Sequence, residues 1–132
     1  MRHSFCFGMA VALAVANHGL RAEGVHVVRT LPGYACMMLN LTSQEAVDPG
    51  IEVPVRAGPS PDERVVGYAM PVVAVRLPLK PVNGFYAVLF PNGASVWIAT
   101  NAVRPYHSLG DPSSKCVPAV MSNGLQGFDY FH

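Results

Sequence analysis

Short runs of β-branched and aromatic residues recur along the chain beyond residue 22, and each run is bounded by proline or glycine. Apolar and polar positions alternate within these runs, as expected for strands that bury one face. Beyond residue 22, no apolar pattern with a helical period extends over ten residues. The pattern therefore predicts an all-β protein in which tight turns join short strands.

The clearest predicted hairpin is Gly84–Thr100, in which two β-rich runs flank Pro91, Asn92 and Gly93. A two-residue Asn-Gly turn would need an N–H group on Pro91, which proline lacks. Proline suits the second position of a type I turn, with Gly93 left-handed in a G1 bulge. This turn sets the register of the two strands and so decides which side chains share a face.

The predicted register gives the hairpin two different faces. The core face carries Tyr86, Val88, Phe90, Ala94, Val96 and Ile98. The second face carries Phe85, Ala87, Leu89, Ser95, Trp97 and Ala99. Left open, the second face would be an aromatic recognition patch; covered, it would be a small second core. Phe128, Tyr130 and Phe131 near the end of the chain are the candidate covers.

Three further segments upstream of the hairpin have strand character. Tyr34–Thr42 and Ile51–Gly58 each predict one strand, and Asp48–Gly50 between them is a turn signal. Glu63–Arg76 predicts either a strand pair or one long bent strand, with Pro71 at an edge or a bend. Together with the hairpin, these segments make up the predicted β-domain.

The first 22 residues have the composition of a secretory signal peptide. Arg2 and His3 precede an apolar run from Phe5 to Ala16, which has small residues near its end. The run is shorter than the roughly 20 apolar residues that span a membrane. We expect cleavage after Ala22, with Ala16 as the second candidate site, and export to the periplasm or the exterior. The alternative is a buried N-terminal helix.

Export would leave Cys36 and Cys116 as the two cysteines of the mature chain. An even pair in an oxidising compartment predicts a disulfide, here closing a loop of about 80 residues. The alternative is a thiol- or metal-dependent enzyme that uses one of these cysteines. No CxxC motif supports a metal site, and no cofactor is expected.

The charge of the chain argues against polyanionic partners. Nine basic and eight acidic residues give a net charge of +1, and removal of Arg2 and Arg21 leaves seven against eight, or −1. No run of basic residues occurs, so phosphate-driven nucleic-acid binding and attraction to anionic membranes are not expected.

Five segments of the chain, in this order, resemble the bacterial SH3 (SH3b) family. They are "VPVRAGPS" (53–60), "VVGYA" (65–69), "GFYAV" (84–88), "NG" (92–93) and "VWI" (96–98). "TNAVRPY" (100–106) is similar to the short 3₁₀ turn and last strand of that family. The chain departs from the family pattern at Pro54 for Asn, Phe85 for Trp and Val96 for Gly.

The resemblance covers residues 51–106 and implies a small SH3-like barrel of about five to six strands. Residues 1–22 would be the signal helix, and residues 23–50 an extension with one strand. Residues 107–132 show no clear strand period and predict an irregular tail, tied to the barrel by the disulfide. We expect a monomer without a membrane span after the signal is removed.

The resemblance also assigns expectations to particular residues. Arg56 would donate hydrogen bonds to loop carbonyls or to a carboxylate, with ligand binding as the alternative. Arg76–Pro81 ("RLPLKP") would be a loop, although its PxxP spacing also fits a ligand for an SH3 groove. The candidate binding residues are Tyr68, Phe85, Tyr86, Trp97 and Tyr106.

No catalytic motif is found, since His26, His107 and His132 are scattered and fit no hydrolase pattern. The sequence therefore predicts a non-catalytic, exported binding module of the cell envelope. The resemblance implies a peptide, a glycan such as peptidoglycan, or a protein as its partner. A purely structural role in envelope assembly is a further alternative.

Overall fold

The computed structural model describes residues 24–132, so the signal-peptide prediction lies outside the described part of the chain. The described residues form two antiparallel sheets, which confirms the all-β class. The strands are β1 (Val27–Thr30), β2 (Tyr34–Leu39), β3 (Pro54–Arg56), β4 (Val65–Tyr68), β5 (Val72–Arg76), β6 (Phe85–Leu89), β7 (Ser95–Ala99), β8 (Val103–Pro105), β9 (Lys115–Met121) and β10 (Gln126–Phe131). A one-turn helix, α1 (Ser43–Ala46), follows β2, and a 3₁₀ turn (Thr100–Ala102) precedes β8.

The larger sheet has the strand order β4-β3-β7-β6-β5-β2-β8. It therefore has seven strands, more than the expected five to six. The additional inner strand is β2, which pairs with both β5 and β8. The sequence predicts this strand in an extension before the barrel, because its pairing partners are distant in sequence and leave no local signal.

The larger sheet is strongly curled, as its short connections require. Four peptide units join Tyr68 at the end of β4 to Val72 at the start of β5, and they span at most about 14 Å. A flat sheet would place these strands four steps, or about 19 Å, apart. The connection from Ala99 of β7 to Val103 of β8 has the same length and crosses the same number of strands.

Within Glu63–Arg76 the structure has neither a strand pair nor one long bent strand, which were the two predicted alternatives. The strands β4 and β5 are separate and do not pair with each other, because β4 lies at one edge of the sheet and β5 lies between β2 and β6. Pro71 lies in the bend between them, as predicted, and its carbonyl accepts a hydrogen bond from Leu39 N at 3.0 Å.

The β6–β7 hairpin has the predicted register, with Val88 opposite Val96 and Tyr86 opposite Ile98. Gly93 has a φ of +88° and donates its N–H to the Phe90 carbonyl, as a type I turn with a G1 bulge requires. The core inside the curled sheet consists of Met37, Leu39, Val55, Val73, Val75, Val88, Val96, Ile98 and Val103.

The second sheet has the order β1-β9-β10 and corrects the prediction of an irregular tail. Residues 107–132 contain the β9–β10 hairpin, which pairs with β1. The strand period was obscured by Pro118, which is fully buried within β9, and by Gly127 within β10. The Cys36–Cys116 disulfide joins β2 to β9, with a Cα–Cα distance of 6.0 Å, and thus confirms the predicted pair.

Candidate functional site

A groove lies between the outer face of the β6–β7 hairpin and the loop that joins β5 to β6. It has a volume of about 240 Å³, and we call it the Trp97 groove. The residues that matter for its chemistry are Arg76, Pro78, Lys80, Val82, Tyr86 and Trp97. The loop expected from "RLPLKP" is confirmed, and it forms one wall of this groove.

A tight turn at Asn83 and Gly84 ends the loop and leads the chain into β6. Both residues have positive φ values, +52° and +81°, as a type I′ turn requires. Val82 and Phe85 exchange backbone hydrogen bonds across the turn, at 2.8 and 2.9 Å. Asn83 Nδ2 also donates to the Pro59 carbonyl at 3.0 Å, which fastens this wall to the 57–64 loop.

The indole of Trp97 is half-buried and lines the groove from β7. Its directly opposed neighbours are Ala87 on β6 and Arg56 on β3, so all three side chains project from the same face. Because the side chain of Ala87 is short, it leaves space beside the indole, and Ala87 itself lines the groove. The arrangement offers an aromatic surface for stacking on a sugar face or an apolar side chain.

The groove has a positive electrostatic character. Arg76 and Lys80 are both exposed on its wall, and none of its lining residues is acidic. Within residues 24–132 the one ion pair is that of His132 with Asp111, so neither cation is neutralised by a carboxylate within 4.0 Å. The groove can therefore accept a ligand that combines an apolar or sugar surface with a carboxylate.

The five candidate binding residues do not form one site. Tyr86 and Trp97 line the same groove, although Tyr86 also packs against the core as the register predicted. Tyr68 is exposed on the edge strand β4, and Phe85 is buried with 8% exposure. Tyr106 lies beside the second sheet, where its ring centroid is 5.8 Å from that of Tyr130.

The tail aromatics do not line the Trp97 groove. Phe128 and Tyr130 pack against each other with their ring centroids 6.2 Å apart, and Tyr106 extends this cluster. Burial, and secondarily the neighbouring Tyr106, raises the pKa of Tyr130 above its ordinary value of 10.0. The 77–81 loop therefore borders the second face of the hairpin at Trp97, and the tail meets the hairpin at Pro91, whose carbonyl accepts from Gln126 N at 2.9 Å.

Arg56 has the structural contact expected for it. Its Nη1 donates to the Glu63 carbonyl at 2.8 Å, which holds the two ends of the 57–64 loop together. Gly58 within this loop is buried, and a Cβ atom there would lie 2.9 Å from the Glu63 side chain. The "RAGPS" segment therefore forms an ordered loop that supports the Asn83 turn.

Two groups of side chains are relevant to a catalytic role: the two cysteines, and a cluster of serine, aspartate and histidine. The Cys36–Cys116 disulfide uses both sulfurs, and no cluster of three or more metal-ligating side chains occurs among residues 24–132. Ser113, Asp111 and His132 do lie together, but Ser113 donates to Asp111 at 2.7 Å. His132 contacts both partners through the same nitrogen, Nδ1, so the three cannot relay a proton from serine through histidine.

Arg76 and Lys80 belong to the "RLPLKP" segment, for which the sequence predicts a loop or a PxxP ligand but no place in a binding groove, and Val82 is not among the predicted site residues. The available signal was Asn83-Gly84, an Asn-Gly pair directly before a strand, which is a strong hairpin indicator. It would have shown that the loop folds back onto the hairpin. The Asn83-Gly84 pair does not, however, predict which side chains face each other across the groove.

No protein-family model, curated protein or solved structure matches this chain. Functional inference therefore depends on the residues of the chain itself. Among residues 24–132, none of the helices has the length and apolar character needed to cross a bilayer.

Proposed function

We propose that the chain is an exported, non-catalytic SH3b-like module that binds peptidoglycan in the cell envelope through the Trp97 groove. The order of the SH3b-like segments supports this assignment, as does the curl of the seven-stranded sheet, which suits an SH3-like barrel. The disulfide between β2 and β9 is compatible with export, because such bonds persist in oxidising compartments.

The observation that carries the proposal is the combination of groups in the groove. Trp97 offers an aromatic surface, and Arg76 and Lys80 offer uncompensated positive charge. Peptidoglycan combines sugar rings with short peptides that have free carboxylates, so it presents partners for both kinds of group. Tryptophan is among the residue types most often found to dominate binding energies at interfaces.

Co-sedimentation of the purified protein with purified peptidoglycan tests the proposal. Trp97 is the one tryptophan of the chain, so its fluorescence reports on the groove directly. We expect saturable sedimentation together with a shift in Trp97 emission. Absence of both would refute the proposal.

Variants locate the binding surface. Trp97→Ala is expected to weaken sedimentation about tenfold or more, as the loss of a binding hot spot does. Lys80→Glu, on an exposed loop where folding is not at stake, is expected to weaken it as well. Tyr68→Ala, which removes an exposed aromatic outside the groove, is the control and should bind normally. Equal binding by all three variants would exclude the groove.

A further inference from the structure

A second cavity lies at the opposite end of β2, under the helix α1, and no part of the proposed function uses it. It has a volume of about 280 Å³, and we call it the α1 cavity. Its lining is mainly apolar and comes from five separate parts of the chain. The residues used below are Met38, Leu41, Ile51, Pro71, Arg104 and Leu109.

Three backbone hydrogen bonds hold the walls of this cavity in place. Leu39 N donates to the Pro71 carbonyl at 3.0 Å, and Asn40 N donates to the Ala102 carbonyl at 2.8 Å. Ala69 N donates to the Val53 carbonyl at 2.8 Å on the far side. The cavity is thus formed by tethered strand ends, and binding there needs no new backbone structure.

The roof of the cavity is α1, which is fixed by a capping box. The Thr42 hydroxyl accepts from Glu45 N at 3.1 Å, and Glu45 Oε1 accepts from Thr42 N at 2.9 Å. The carboxylate of Glu45, the one acidic group of the lining, is therefore already engaged by the backbone.

Arg104 is the one cation of the lining and has an unmet hydrogen-bonding group. Its Nε is buried without a hydrogen-bond partner, the one such side-chain atom among residues 24–132. No carboxylate lies within 4.0 Å of its guanidinium in the described part of the chain. A carboxylate in the cavity would gain a charge-assisted hydrogen bond with the guanidinium of Arg104, which lines the cavity without a carboxylate partner.

We infer that the α1 cavity binds a small amphipathic carboxylate, with its carboxylate on Arg104 and its apolar tail against Met38, Leu41 and Ile51. Met38 is directly opposite Arg104 in the β2–β8 pair, so the cation and the apolar wall adjoin. Ile51 and Leu109 are exposed apolar side chains at the cavity, 40% and 71% accessible, which a tail would cover. The cavity volume of about 280 Å³ exceeds the ~150 Å³ of a cavity that holds benzene, which suits a medium-chain acid.

Octanoate is the probe, and octanol, with the same tail and no carboxylate, is its matched control. NMR of the purified, disulfide-bonded protein should show saturable shifts of the Met38, Leu41 and Ile51 methyl groups with octanoate. Octanol should bind about tenfold more weakly or worse, because a hydrogen bond to a charged group is lost. Trp97 fluorescence that stays unchanged on addition of octanoate would show that octanoate does not bind in the Trp97 groove. The two proposals can therefore fail independently of each other.

Arginine variants complete the test. Arg104→Gln should reduce octanoate affinity to that of octanol, whereas Arg29→Gln, on β1 of the other sheet, should leave it unchanged. Equal affinities of the wild-type protein for octanoate and octanol, or shifts spread over the whole protein, would overturn the inference. That comparison needs no variant, so it stands even if Arg104→Gln fails to fold.

Discussion

The ring of Phe90 lies against the backbone of Gly67 across the interior of the curled sheet. A Cβ atom on Gly67 would lie 2.9 Å from Phe90 Cε2 and 3.2 Å from Phe90 Cζ. Gly67 is on β4 and Phe90 directly follows β6, and two strands separate β4 from β6 in the sheet. The contact therefore exists only because the sheet curls, and it explains the glycine of the "VVGYA" segment.

Gly67→Ala should destabilise the fold by about 1–3 kcal/mol, because the added methyl group overpacks the interior against Phe90. Urea denaturation measures the change. Gly110→Ala is the control, since no atom lies within 4 Å of the Cβ position there. Phe90→Leu introduced beside Gly67→Ala should recover part of the loss. Equal effects of the two alanine substitutions would refute the packing argument.

Removal of the disulfide should lower stability by about 4–5 kcal/mol in the chain-entropy model, since Cys36 and Cys116 are 80 residues apart. The double variant Cys36→Ser/Cys116→Ser, compared with the parent protein by urea denaturation, measures this. Peptide mapping without reductant should find the two cysteines linked. Free, alkylatable thiols in protein recovered from outside the cytoplasm would contradict the pairing and favour a thiol enzyme.

Stability should fall as the pH rises above about 10, because the pKa of Tyr130 is raised in the folded state. Between the unfolded and the folded pKa, the native state holds a proton that the unfolded state releases, so rising pH favours unfolding. Tyr130→Phe should flatten this fall, whereas Tyr68→Phe, on β4, should not. Urea midpoints at pH 8 and above pH 10 test the difference, and identical pH profiles of Tyr130→Phe and the parent would disprove it.

Thr42→Ala should loosen α1, because it removes the hydroxyl that accepts from Glu45 N. A lost cap costs about 1 kcal/mol, which corresponds to roughly fivefold faster amide exchange. The reporter is Ala46, whose N–H donates to the Thr42 carbonyl at 2.9 Å. Ser43→Ala, one residue further along, is the matched control. Unaltered exchange at Ala46 in Thr42→Ala would show that the cap does not hold the helix.

The two Asn-Gly hairpin turns show how much of the fold local sequence predicts. Asn92-Gly93 and Asn123-Gly124 form the same turn, in which the asparagine side chain accepts from the N–H two residues later. Both glycines have φ values between +80° and +90°. The first turn was predicted, and the second was overlooked although "SNGL" carries the same signal. The tail hairpin was therefore predictable from the sequence, whereas its pairing with β1 was not.

The helix α1 was equally open to prediction. Thr42-Ser43-Gln44-Glu45 has the spacing of a capping box, and the structure contains both of its hydrogen bonds. The Trp97 groove and the α1 cavity, by contrast, were not predictable from local sequence. The sequence predicts Arg76 and Lys80 as part of a loop or a PxxP segment, and Arg104 as part of a short last strand, because nothing local indicates which residues face them.

The sequence alone determined the all-β class, the β6–β7 register and the Cys36–Cys116 pair, and the SH3b resemblance favoured the contact of Arg56 with its loop. These depend on φ preferences and hydrogen bonds within a few residues, or, for the disulfide, on there being only two cysteines beyond residue 22. Only the tertiary structure decided the seven-strand order, the Trp97 groove and the environment of Arg104. Each of these requires the sheet to curl and so to bring together side chains tens of residues apart, and short-range preferences do not encode that.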